Sequence, residues 1–179
     1  MTRTAITRPE LVAEGSEWVL IVERTLPQSP DQVWTALTEP EHIRAWLPFS
    51  PDRSLAEVGP IRLTDIGMPD PKTRDGFVHQ VTPREVLVLG WEEDVLRWEL
   101  RTDGAGTALV LRHQFADRPQ APSYAAGWHL CLDALVDHLD GGAVDIVVGE
   151  AAMDHGYPEL LQGYADALGM EVPVIPDGS

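Results

Sequence analysis

Hydrophobic residues cluster in six short runs of the chain, most of which alternate apolar and polar positions as half-buried strands do. Few residues separate the later runs, and the turn at residues 103–106 contains two glycines. Connections this short leave no room for crossover helices, so we predict an antiparallel meander. The runs cover residues 17–26, 56–64, 77–81, 86–91, 96–101 and 108–115.

The alternation also assigns faces to the strands. In the fifth run, Trp98 and its apolar neighbours point to one side and the charged residues to the other. In the sixth run, His113 lies on the same side as Leu111 and Phe115. The first run is ambiguous, because two apolar pairs compete for its inward face: Leu20 with Val22, and Val19 with Ile21.

Two short helices are predicted after the first strand. Ser29 and Gln32 have the spacing of a capping box, in which each side chain bonds to the backbone of the other residue. Thr38 and Glu41 repeat that spacing, so we expect a second helix to begin there. Pro48 ends it, which places Trp46 near its last turn.

One long amphipathic helix is predicted over residues 123–139, with Gly141 and Gly142 as its stop signal. A polar face carries His129, Asp133 and Asp137, which we expect to lie in solvent. The opposite, apolar face has helical spacing and consists of Trp128, Leu132, Leu135 and Leu139.

The order of these elements predicts an α+β helix-grip fold. In this fold a curved antiparallel sheet wraps around a long C-terminal helix, and two short helices follow the first strand. We assign residues 1–142 to this domain. Residues 143–179 form a C-terminal helical appendage, with a helix expected over 156–169, packed on the domain or on a partner copy.

Composition narrows the partners and the compartment. The formal net charge of −16 disfavours binding to nucleic acid or to a membrane surface, both of which are anionic. Cys131 is the single cysteine, so no internal disulfide is expected and a cytoplasmic location is predicted. No export signal or membrane span is indicated.

Four segments carry a resemblance to a known family. They are VWTALTEPEHIRAWL (residues 33–47), DGFVHQVTPREVLVLGW (75–91), GTALVLRHQF (106–115) and GWHLCLDALVDHL (127–139). In this order they resemble the SRPBCC superfamily, also called START-like or birch-pollen-allergen-like. They are most similar to its branch named after the activator of the ninety-kilodalton heat-shock chaperone ATPase. The similarity covers roughly residues 17–140.

The resemblance implies a cavity between the sheet and the long helix that holds an apolar or amphipathic small molecule. We therefore predict such a ligand as the partner, with no cofactor, no metal site and a possible homodimer. The iron-binding branch of the superfamily uses two histidines and a carboxylate, and no such motif is visible in this sequence. The predicted cavity lining is Trp46, Phe77, His79, Trp91, Trp98, Leu111, His113, Trp128, Leu132 and Leu135.

Three functions remain open at this point. Simple ligand binding needs only the cavity. A cyclase- or dehydratase-like enzyme, such as relatives that act on polyketides, would need His113 or His79 as a general acid or base. Both histidines could equally be core residues with satisfied hydrogen bonds. A co-chaperone-like interaction module would instead use the acidic C-terminal region.

Overall fold

One curved antiparallel sheet forms the framework of the fold, and the computed structural model describes residues 9–142, 150–154 and 156–174. Its strands are β1 (Glu10–Glu14), β2 (Glu17–Leu26), β3 (Phe49–Pro51), β4 (Gly59–Asp65), β5 (Thr73–Thr82), β6 (Val86–Trp91), β7 (Asp94–Asp103) and β8 (Gly106–Phe115). Their order across the sheet is β1-β2-β8-β7-β6-β5-β4-β3, so the β1–β2 hairpin extends the meander from β3 to β8 beyond β8.

The helices are α1 (Pro30–Thr38), α2 (Pro40–Ile43), α3 (Ala121–Leu139), α4 (Glu150–Asp154) and α5 (Tyr157–Leu168), and a 3₁₀ turn (Arg118–Gln120) precedes α3. The long helix α3 shares one hydrophobic core with the inner face of the sheet. The predicted α+β helix-grip fold is therefore confirmed.

Capping chemistry explains where α1 begins but not where α2 does. Gln32 N–H donates to the Ser29 hydroxyl at 3.4 Å, and Ser29 N–H donates to Gln32 Oε1 at 3.1 Å, which is the predicted capping box. The second predicted box is wrong. Glu39 caps α2 without a side-chain bond, and the Thr38 hydroxyl donates to the Trp34 carbonyl at 2.8 Å, inside α1.

The inner, concave face of the sheet is set by strand register. Leu20 pairs with His113, and His113 pairs with Leu96 on its other side, so all three side chains point inward. This register resolves the ambiguity in the first strand, because Leu20 and Val22 face the core. Val19 is also buried, on the opposite face.

A β-bulge in β5 overturns the prediction that Phe77 and His79 line a cavity. The pairing with β6 shifts between Val78 and Gln80, so one extra residue changes which side chains face inward. Val78 is fully buried, whereas Phe77 is 41% exposed and His79 is also exposed on the outer face. Their rings contact each other there, with centroids 5.1 Å apart.

The helix α5 covers the polar face of α3, which was predicted to lie in solvent. Leu161 and Ala165 of α5 are buried, as is Ala126 of α3. His129 of α3 is only half exposed and hydrogen-bonds to α5. That expectation for His129 and Asp133 is therefore wrong, because an amphipathic helix from beyond the long helix packs against them.

The sequence pattern misses both edge strands of the sheet. In β1 only Leu11 is partly buried, so the strand has no alternating apolar signal. It is held by pairing with β2 across a turn in which Gly15 adopts a φ of 63°. The strand β3 has three residues, too few for a periodic pattern. None of the described helices combines the length and the hydrophobicity that a membrane-spanning helix needs.

Candidate functional site

His113 lies at the centre of the polar contacts inside the grip. It is on β8, where alternation turns its side chain toward α3, and its exposed fraction is 0%. A buried imidazole needs partners for both ring nitrogens, since an unpaired polar atom costs about 1–3 kcal/mol.

Both nitrogens of His113 have a partner. The indole N–H of Trp128, on α3, donates to Nδ1 over 3.0 Å. Asp94 Oδ2, at the start of β7, lies 2.7 Å from Nε2. Because an indole only donates, the hydrogen-bond network assigns the imidazole proton to Nε2, which donates to the Asp94 carboxylate. The imidazole of His113 therefore links β8 to α3 and to the start of β7.

Aromatic rings fill the interior around this histidine. Trp98 contacts Trp46 and Trp128 edge to face, with centroids 5.4 and 5.7 Å apart. Tyr124 of α3 lies 4.4 Å from the His113 ring, and Trp91 lies 6.2 Å from Trp128. The edge-to-face pairs among the tryptophans add to the stabilisation that burial provides.

Seven of the ten side chains predicted to line a cavity meet in this cluster and expose at most 4% of their surface. Apart from His113, they belong to one hydrophobic core between the sheet and α3. The seven are Trp46, Trp98, Leu111, His113, Trp128, Leu132 and Leu135. The indole N–H of Trp46 donates to the Ala36 carbonyl at 2.9 Å inside the core.

The interior reaches solvent at one end, where Trp91 and Tyr124 are half-buried beside Asp94. The Asp94 side chain is 21% exposed. Burial raises the pKa of Tyr124 to about 12, and the negative charges of Asp94, Asp117 and Glu92 add to the rise. The Tyr124 hydroxyl therefore keeps its proton and can donate a hydrogen bond at this rim.

A second polar cluster lies under α5 and includes a residue that the sequence analysis missed. Both terminal nitrogens of Arg24 lie 3.0 Å from Asp133 Oδ1. Asp133 Oδ2 is 3.4 Å from His129 Nε2, and His129 Nδ1 is 2.7 Å from the Tyr164 hydroxyl. The sequence does contain a signal for Arg24, because it has the same strand parity as Leu20 and Val22.

Charges within this cluster stabilise the Asp133 carboxylate. Burial acts to raise its pKa, but the hydrogen bonds and charges of His129 and Arg24 outweigh burial and leave the pKa below its ordinary value. Burial raises the pKa of Tyr164 to about 12, so its hydroxyl remains protonated. We assign the chain of donors as Tyr164 to His129 to Asp133, with Arg24 donating from the opposite side.

Two further histidines join α2 to the end of α3. His42 Nδ1 lies 2.8 Å from His138 Nε2, and the rings meet edge to face. Burial and the neighbouring His42 lower the pKa of His138. One ring must be unprotonated to accept this bond, so the contact holds α2 against α3 only while the pair carries at most one extra proton.

A charged surface cleft of about 670 Å³ lies between the start of α1, the β5–β6 turn and β7. Arg84 pairs with Asp31 at 3.2 Å, and Arg97 pairs with Glu99 at 2.8 Å. Arg101 also reaches Glu99, at 3.4 Å. The cations of this cleft are thus compensated by neighbouring carboxylates, which makes it a poor receptor for an anion.

Comparison with known proteins identifies a matching family and solved structures with a similar fold. Residues 27–140 match the family model described as activator of Hsp90 ATPase homolog 1-like protein. The structure of EF2215 from Enterococcus faecalis, a conserved protein of unknown function, is similar with a TM-score of 0.68 and 18% identity, over 89% of each chain. No curated protein sequence matches the chain significantly.

The structures of two further proteins, CalU16 and DynU16, are also similar to this one. CalU16 from Micromonospora echinospora has a TM-score of 0.68 and 18% identity, over 93% of this chain and 98% of its own. DynU16, a protein of the dynemicin biosynthetic locus, has a TM-score of 0.62 and 25% identity, over 70% of this chain and 48% of its own. These likenesses support the same fold across proteins of low sequence identity.

Proposed function

Because the chain belongs to the activator of Hsp90 ATPase homolog 1-like family of the SRPBCC superfamily, we propose that it binds an apolar or amphipathic small molecule between the concave face of the sheet and α3. A sheet wrapped around one helix encloses a volume that either side chains or a ligand can occupy. The biosynthetic locus of DynU16 supports a small organic molecule rather than a macromolecule as the ligand.

The aromatic cluster around Trp98 is the observation that carries this proposal. Its rings contact one another edge to face. The half-buried Trp91 and Tyr124 extend the cluster to solvent. Aromatic rings offer large apolar area with few rotatable bonds. These rings lie between the sheet and α3, so a ligand binds there by displacing some of them toward the rim.

Native mass spectrometry of the purified full chain tests this proposal. We expect a fraction of the protein to carry a co-purified small molecule. Leu132→Trp adds volume inside the grip and should abolish this fraction, at a cost of about 1–3 kcal/mol in stability. Leu130→Trp adds the same indole to a half-exposed position of α3 and should retain it. Equal retention in both variants would place the molecule elsewhere and contradict the proposal.

Proton transfer is a second candidate function, favoured by the rim at Asp94. There a carboxylate held by His113 is partly exposed beside the protonated Tyr124 hydroxyl. These two groups have the roles of a base and an acid for an enolisable carbonyl compound. His113 itself is wholly buried, so it positions Asp94 rather than touching a substrate.

The exchange of the acidic methylene protons of acetylacetone in deuterium oxide tests the second candidate. We expect the protein to accelerate the exchange about 10²-fold or more, and Asp94→Asn to remove the acceleration. Asp103→Asn, at an exposed hairpin, is the matched control. If the wild-type protein gives the rate of buffer alone, the rim does not act as a base on such compounds.

A further inference from the structure

Arg24 is a buried cation that its surroundings leave incompletely bonded. It is 1% exposed, on the concave face of β2 among leucine and valine side chains. The other buried polar side chains, Thr38, Thr107 and His113, all make hydrogen bonds. The Nε–H of Arg24 has no acceptor within the described residues. A buried donor left unpaired costs about 1–3 kcal/mol, which calls for a compensating partner.

Asp133 satisfies only one edge of the guanidinium. Both Nη atoms lie 3.0 Å from the same oxygen, Oδ1, while Oδ2 is directed toward His129. A carboxylate that fits a guanidinium fully uses two oxygens on two N–H groups. The edge formed by Nε and one Nη therefore has no two-oxygen partner within the described residues.

The helix α5 covers this incompletely bonded site. Tyr164 bonds to His129 at 2.7 Å, and Leu161 and Ala165 are buried beneath the helix. Arg24 and Tyr164 both lie outside residues 27–140, the segment that matches the family. The cluster thus links β2, α3 and α5.

We propose that Arg24 binds the carboxylate of an amphipathic organic acid lodged between β2 and α3, with α5 as the cover of that site. This rests on the proposed function and specifies its ligand class. The two acid oxygens take Nε and one Nη of Arg24, and Asp133 keeps the other Nη. The apolar part of the ligand lies against Val22 and Leu109, which flank Arg24 on the concave face.

Calorimetric titration of the full chain with naphthoic acid and with naphthamide tests the inference. The two probes have the same ring system, and only the acid carries a charge. We expect the acid to bind at least about tenfold more tightly, because a hydrogen bond to a charged group contributes about 1.5–3 kcal/mol. Arg24→Lys keeps a cation for Asp133 and removes the Nε donor, so it should reduce the acid's affinity to that of the amide.

A second variant separates ligand binding from structural support. Asp133→Asn retains an acceptor oxygen and removes the competing charge, so the acid should bind more tightly than to the wild-type protein. If Arg24 only supports the fold, Asp133→Asn will lower the melting temperature without raising that affinity, and the inference is overturned. Equal affinities for acid and amide overturn it while ligand binding stands. Binding of neither probe overturns both this inference and the proposed function.

Discussion

At the scale of single residues, the inward direction of His113 is predictable and its partners are not. Strand alternation places it on the face of Leu111 and Phe115, and the structure agrees. Its partners come from a hairpin and from a helix, so strand period alone does not identify them. Strand alternation also places Arg24 on the inner face, but its partner Asp133 lies on a helix and is not predicted by strand alternation.

The hydrogen bond between Trp128 and His113 gives a residue-scale prediction. In a double-mutant cycle with His113→Phe and Trp128→Phe, we expect an interaction energy of about 1 kcal/mol or more, because either single change removes a buried bond. Urea unfolding measures it. Trp46→Phe is the matched control, since its indole bonds to Ala36 instead, and its coupling to His113 should stay below about 0.5 kcal/mol. Equal coupling in both cycles would refute the assigned bond.

At the scale of elements, periodic segments are predicted well and irregular ones poorly. The long helix and the strands from β6 to β8 follow from apolar spacing. The bulge in β5 does not, because one extra residue reverses the faces of Phe77 and His79 without changing the composition of the strand. The packing of α5 on the polar face of α3 is also not predicted, because polar residues on one helix face are typical of a solvent-exposed face.

The middle of α3 contains a helix-destabilising residue that can be replaced. Gly127 lies within the helix, and a Cβ added there meets no atom within 4 Å. We expect Gly127→Ala to raise the free energy of unfolding by about 0.5–1 kcal/mol through helix propensity. Chemical denaturation measures the change. No gain, or a loss, would mean that the space beside Gly127 is occupied in solution.

The contact between α2 and α3 should respond to pH. The folded pKa of His138 lies below its ordinary value of 6.5, so folding favours the neutral ring. Its contribution is present above about pH 6.5 and is lost as pH falls through the lower folded pKa. We expect urea unfolding to show a decline in stability from about pH 7 to pH 5 that is smaller in His138→Gln. An identical decline in both proteins would exclude this pair as the cause.

At the scale of the whole molecule, the fold is clear from the sequence and the state of its interior is not. The order of elements indicates a helix grip, but it does not say whether side chains fill the grip. In the structure Trp46, Trp98 and Trp128 are buried and meet edge to face inside the grip. A ligand that binds between the sheet and α3 must therefore displace some of these rings.

The indole signals of the six tryptophans in a nitrogen–proton correlation spectrum test that requirement most directly. Naphthamide added to the labelled protein should shift the interior indoles of Trp98 and Trp128 in a saturable manner. The indole of Trp34, at a half-exposed position on α1, should stay unchanged. Shifts confined to Trp34, or no shifts at any concentration, would contradict binding between the sheet and α3.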